Sequence, residues 1–271
     1  IISWPTQSVD VGLYLFSALA VHEAARRRLG TMLAAVLGAL LCKEVAVVTA
    51  LLVPWLPGGE RRGLKERARW AVATGLVVAA WGVAYLLIRR HAGLALPHHL
   101  ESDAEVLATP VTTRLGWALG NSVRAVFSLA RTPGAWDGWI GATAAVVVVA
   151  GLGLAVADGR SRARLRPKAG WAAWGLVWFA LASGTLVAIF PFWAPSRSMY
   201  GSIGLGVALA GLLSAAGPAL LAALMAVKLL AFALSPGAPR VVAGLPQESG
   251  AFTDFGKIAR LQLLMRETRG I

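Results

Sequence analysis

The sequence predicts an all-α fold, a polytopic bundle of transmembrane helices, and three observations predict it. Hydrophobic residues make up 57% of the 271-residue chain and charged residues only 14%, with a mean hydropathy of +0.67. A soluble domain cannot hide that much apolar surface. The apolar residues fall in seven runs, at 9–25, 31–56, 70–88, 139–157, 171–193, 199–216 and 218–234. Most of these are 17–23 residues long, the length that crosses about 30 Å of hydrocarbon as a helix. Finally, Lys and Arg cluster in the short segments between runs, as the positive-inside rule describes.

That last observation also disposes of the net charge of +13. In a soluble protein it would suggest nucleic acid. Here its placement points to membrane lipids, and no nucleic-acid partner is expected. Eleven Trp suit the two bilayer interfaces. The single cysteine, Cys42, excludes an internal disulfide. His22, His91, His98 and His99 form no metal-ligand pattern, and His98-His99 reads as a solvated loop pair. The residues require no cofactor and leave a divalent metal undetermined. The opening "IISWPTQSVD" has neither an initiator Met nor a signal-sequence pattern, so a fragment lacking its N-terminal part is expected. The expected location is the bacterial inner (plasma) membrane, crossed several times.

The first run, 9–25, begins at Asp10 and ends before Arg26, Arg27 and Arg28. The second, 31–56, carries "LLCKEVAVV" in its middle. A single crossing would place its two basic flanks, Arg26–Arg28 and the segment from Glu60 to Arg69, on opposite sides. A break at Lys43-Glu44 makes a hairpin of two arms of about 12 residues, or about 18 Å each. Both basic flanks are then cytoplasmic, and the two charges sit at a tip where they cost less. Such short arms must be tilted, re-entrant or buried in protein.

Run 70–88 then leads outward. Segment 112–130, interrupted by Arg114, Asn121 and Arg124, either lies at the interface or packs inside the bundle. Run 139–157 returns to "DGRSRARLRPK", read as a cytoplasmic loop over 158–170. Runs 171–193, 199–216 and 218–234 go out, in and out. We divide the chain into a helical domain, 1–234, and an external or interfacial tail, 235–271. In that tail "TDFGKIARLQLLMRETRG" reads as a short amphipathic helix.

This topology brings Asp10, Lys43-Glu44 and the turn "PFWAPSRSMYGSIG", with Arg197 and Tyr200, to one face of the membrane. Lys supplies a point charge and Arg a bidentate fork for a phosphate, and Tyr200 a hydroxyl. The plainer reading is that Lys43 pairs with Glu44 or Asp10, and that Arg197 anchors at the interface. On charge alone the plainer reading is the stronger.

The order of three motifs favours the sharper reading. "WPTQSVDVGLYLFSALA", "GALLCKE" and "PSRSMYGSIG" resemble, in sequence and separation, the GT-C class of polytopic glycosyltransferases. The nearest resemblance is to the membrane part of transmembrane-and-TPR O-mannosyltransferase-like proteins, and it covers most of residues 1–216. Trp4 and Asp10 match the entry motif, with Ser8 in place of Arg. Lys43 and Glu44 match the second, with Cys42 in place of Ser. Arg197 and Tyr200 match the third, with Ser196 in place of Glu and Gly201 in place of Pro.

The resemblance implies a GT-C-like bundle that transfers a sugar from a polyprenyl-phosphate donor to an acceptor hydroxyl on the external face. It implies that Lys43, Arg197 and Tyr200 hold the lipid phosphate and that Asp10 and Glu44 support them. The family's catalytic acid would precede Ile1, so this chain alone is expected to be inactive. Glu101, Asp103 and Glu105 could substitute for it, but a solvated acidic stretch is the stronger reading of them. The alternative is a non-enzymatic scaffold, or a lipid-phosphate-binding transporter or assembly subunit.

Overall fold

A computed structural model describes residues 5–58, 63–92, 109–126, 134–189 and 195–233, and its regular structure is helical throughout these residues. Helices α1 (Pro5–Ala25) and α2 (Leu29–Cys42) form an antiparallel pair. Two glycines permit their close approach. A Cβ at Gly12 would lie 2.7 Å from Cys42 Sγ, and one at Gly38 would lie 2.8 Å from the Phe16 ring. The turn between them is fixed by Glu23, only 7% exposed, whose carboxylate accepts the Thr31 hydroxyl and lies 3.9 Å from the Arg28 guanidinium.

The long second run is broken where the charges predicted. Lys43 follows α2 in an extended conformation, with φ −160° and ψ 140°. A 3-10 turn (Glu44–Ala46), a short helix α3 (Val47–Leu52) and a second 3-10 turn (Val53–Trp55) follow. Hydrogen bonds establish that the chain reverses here. Lys43 Nζ lies 2.7 Å from Asp10 near the start of α1, whereas Thr49 donates to Ser17, seven residues further along that helix. Seven helical residues amount to about 10 Å of depth. Continuing the same way, the Leu52 carbonyl accepts Trp174 Nε1–H, and Gly58 sits against Trp171. The arm therefore re-enters the bundle, where its backbone is covered by protein.

Helix α4 (Leu64–His91) packs on α2 and α3 through Trp70, Val77, Val78 and Trp81. Only 6% of its apolar window is buried, so most of it faces outward. Helix α5 (Val111–Val126) buries Ala118 and Ser122 and packs against later helices. One face of it meets the bundle while Val111, Leu115 and Val123 stay exposed, an arrangement that fits either placement predicted for 112–130.

Helices α6 (Gly134–Ala157), α7 (Gly159–Gly184), α8 (Met199–Ala216) and α9 (Pro218–Ala233) complete the described bundle. The closest pair is α7 with α8. A Cβ at Gly204 would fall 2.5 Å from the Gly175 carbonyl oxygen, so the two backbones touch because neither residue has a side chain.

Segment 158–170 corrects the sequence reading. It is not a loop but the first turns of α7. Asp158 caps the helix, accepting the Ser161 N–H at 2.7 Å, and Pro167 is accommodated within it. Arg, Leu and Ala are good helix formers, so propensity and the cap outweigh the proline and the charge density that suggested a loop. Helix α4 also begins at Leu64, earlier than the apolar run, because Lys65, Glu66 and Arg67 extend it into the basic segment.

Four described helical segments are long and apolar enough to cross a membrane: Leu64–His91, Trp139–Ala157, Gly159–Ala188 and Met199–Ala216. The exposed Leu76, Leu86, Val146, Val149 and Leu229 around the bundle fit a lipid surround. The acidic cluster at 101–105 and the amphipathic tail helix at 253–270 lie outside the described residues.

Candidate functional site

One end of the bundle contains a cavity of about 400 Å³. It is lined by Asp10, Tyr14, Lys43, Glu44, Thr185, Arg197 and Tyr200, with Leu13, Val45, Leu186 and Ala188. All five residues singled out in the sequence therefore meet at one place. Four segments deliver them: the second turn of α1, the break after α2, the 3-10 turn that continues α7 (Thr185–Ile189), and the 3-10 turn Pro195–Ser198 leading into α8.

Local physics explains each placement. Lys43 stands at the C-terminal end of α2 and Glu44 opens the following 3-10 turn. Each charge thus meets the favourable end of the adjacent helical dipoles. The extended backbone at Lys43 leaves its N–H bonded to the Ala39 carbonyl, while its own carbonyl accepts Ala46 N–H. The break therefore leaves these backbone groups satisfied.

The ion pair resolves one of the choices left by the sequence. Lys43 pairs with Asp10 at 2.7 Å, with the two side chains 39% and 30% exposed. Glu44 lines the same cavity, exposed, and among the described residues makes no ion pair or hydrogen bond through its carboxylate. The same holds for the exposed guanidinium of Arg197. The cavity thus carries an internally matched pair, one available carboxylate and one available cation.

Tyr200 has a different environment from the one its motif suggested. It is 3% exposed, and its ring forms part of the cavity wall. Its hydroxyl is bonded to Ser17 at 3.0 Å and to Thr49, and Ser17 and Thr49 bond each other at 3.1 Å. These are neighbours one level deeper than the Asp10–Lys43 pair. The Tyr200 carbonyl also accepts Trp178 Nε1–H at 3.0 Å. Tyr200 is accordingly a tie between α1, the re-entrant arm, α7 and α8, with its polar atom already engaged.

The sequence reading missed Tyr14 and Thr185. Tyr14 was within reach of it: on a helix, position i+4 from Asp10 shares its face. Its ring centroid lies 6.1 Å from that of Tyr200. Thr185 carried no comparable signal, because nothing in its neighbourhood marks the end of α7. Among the described residues no group of three or more His, Cys, Asp or Glu is placed to hold a metal ion. Comparison of the chain with protein-family models, with curated proteins and with solved structures returned no match.

Proposed function

We propose that the chain is a GT-C-like glycosyltransferase module of a multi-pass bacterial inner-membrane protein, and that its end cavity receives the phosphate and sugar of a polyprenyl-phosphate donor. The observation that carries this reading is the convergence of Lys43, Arg197, Asp10 and Glu44 on one cavity at one end of the bundle. Its volume falls within the range of about 300–1,000 Å³ usual for small-molecule sites. Arg197 offers its fork to phosphate oxygens, and Lys43, shared with Asp10, adds a second positive charge.

In such a transfer the acceptor oxygen attacks the anomeric carbon, the bond from that carbon to the phosphate oxygen breaks, and the phosphate leaves with the electron pair. Lys43 and Arg197 would stabilise the charge that grows on it. Of the two carboxylates on the cavity, Glu44 is the one free to take the acceptor proton, because Asp10 holds Lys43.

The test is donor binding and turnover in vesicles with a polyprenyl-phosphate sugar. Lys43→Ala with Arg197→Ala is expected to weaken donor binding at least tenfold. Unchanged binding would remove the phosphate site. Turnover by this chain would assign the base to Glu44 rather than to the acid that the resemblance places before Ile1, and Glu44→Gln is then expected to abolish it while leaving donor binding within threefold.

A second reading, a lipid-phosphate-binding scaffold or transporter subunit, is favoured by the Asp10–Lys43 pair, which neutralises one of the two cations. It predicts donor binding with no transfer.

A further inference from the structure

The α6–α7 hairpin extends past the end of α8, and its tip has a chemistry of its own. The register of α7 on α8 is regular. Gly175 faces Gly204 and Ala208. Further down, Lys168 Nζ donates to Ser214 Oγ at 2.7 Å, and a Cβ at Gly211 would lie 3.7 Å from the Lys168 carbonyl oxygen. Helix α8 stops at Ala216, so the turns of α7 before about Leu165 have no α8 residue opposite them. On the other arm Gly151 is level with Leu213 and Leu220, and α6 runs six residues beyond it, about 9 Å.

The projecting tip carries Arg160, Arg162, Arg164 and Arg166, all exposed. None of them makes an ion pair among the described residues. The adjacent Asp158 carboxylate is occupied by the Ser161 N–H. Beside the arginines, Leu154 and Val156 are 54% and 60% exposed. Arg162 Nε–H donates to the Val156 carbonyl at 3.1 Å, which leaves the terminal nitrogens of all four guanidinium groups outward, and two large apolar side chains beside them match the boundary between acyl chains and phosphate headgroups.

We infer that the tip of the α6–α7 hairpin binds the headgroups of anionic phospholipids in the membrane around the bundle. Leu154 and Val156 enter the acyl region, and the four arginines collect phosphates by bidentate hydrogen bonds. The site lies at the opposite end of the bundle from the Lys43–Arg197 cavity, so the inference does not depend on the transferase reading.

The protein in neutral detergent is titrated with short-chain phosphatidylglycerol, and separately with phosphatidylcholine and inorganic phosphate, while its thermal midpoint is followed. Phosphatidylglycerol is expected to raise the midpoint, and the other two are not. Combined R160Q, R162Q, R164Q and R166Q is expected to weaken the apparent affinity for phosphatidylglycerol at least tenfold. The four corresponding Arg→Lys changes should weaken it less, since charge remains and only the fork is lost. Combined K65Q, R67Q and R69Q, which removes nearby charge from α4, should leave it within threefold. Equal loss in the α4 variant, or equal stabilisation by inorganic phosphate or phosphatidylcholine, would overturn the inference. So would full retention of phosphatidylglycerol affinity in the four-Gln protein. If the four-Gln protein does not fold, the four-Lys protein decides: an unchanged affinity there refutes bidentate capture by the arginines.

Discussion

Tyr200 shows how a residue's place can be legible in a sequence while its partners are not. Its motif put it beside Arg197, and it does line the cavity. Its hydroxyl, however, belongs to the cluster with Ser17 and Thr49, which no sequence pattern connects to it. Losing that hydroxyl leaves two buried partners short of a hydrogen bond, at a cost of about 1–2 kcal/mol. Tyr200→Phe is therefore expected to lower the unfolding free energy by about that amount while changing donor affinity less than threefold. Denaturation and binding measured on one preparation separate the two. A large affinity loss at unchanged stability would restore the phosphate role. Asp10, Lys43 and Arg197 were more legible, because an isolated charge in an apolar run has few physically acceptable positions. A helical end or a polar cavity is such a position, and both are found here. Which carboxylate took Lys43 was not legible, since it depends on side-chain geometry across two helices.

The elements divide in the same way. The break of run 31–56 was readable from charge alone, because both basic flanks had to share one side. The helical state of 158–170 was not. Five cations suggest solvated chain, yet a cap at Asp158 and good helix formers extend α7 through them. That cap has a pH signature. The hydrogen bonds from Ser161 hold the Asp158 carboxyl below its ordinary value, with a smaller contribution from the charge of Arg164. A depressed carboxyl contributes its stability above the unfolded pKa, about 4, and loses it as pH falls through the folded value. Wild type is thus expected to lose a small part of its thermal midpoint below about pH 4 that Asp158→Asn, which caps without titrating, does not lose. Identical acid profiles would refute it. The contact of α7 with α8 makes a stronger demand. Gly204→Val places side-chain atoms where the Gly175 backbone lies and is expected to destabilise by about 1–3 kcal/mol or more. Gly206→Val, on the same helix with nothing within 4 Å of its Cβ, is the control and is expected to be near neutral. Equal effects of the two would show that the close α7–α8 approach is not what Gly204 provides.

The whole molecule places its charges by end. The cavity end holds Asp10, Lys43, Glu44 and Arg197, and the last turn of α4 carries Arg89 and Arg90 toward it, whereas the larger cation group, Arg26–Arg28, Lys65, Arg67, Arg69 and the α7 arginines, belongs to the other. Because the arm after Lys43 re-enters the bundle, Arg27 and Lys65 lie at the same end although the apolar run 31–56 separates them. If these helices cross a bilayer in this arrangement, the positive-inside rule makes that end cytoplasmic and the cavity end external. In a protein whose Cys42 is replaced by Ser, single cysteines at Arg27 and Lys65 are then expected to react with an impermeant thiol reagent only after the cytoplasmic side is opened. A cysteine at Arg197 is expected to react in intact cells. The pairing matters more than any single position, because the fold ties Arg27 to Lys65 through the re-entrant arm regardless of which way the bundle is inserted. Both labelled from outside, with Arg197 protected, would mean that the fold is right and the orientation inverted. Arg27 and Lys65 labelled from opposite sides would mean that run 31–56 crosses once, and the cavity built from Asp10, Lys43 and Arg197 would then lose its geometric basis.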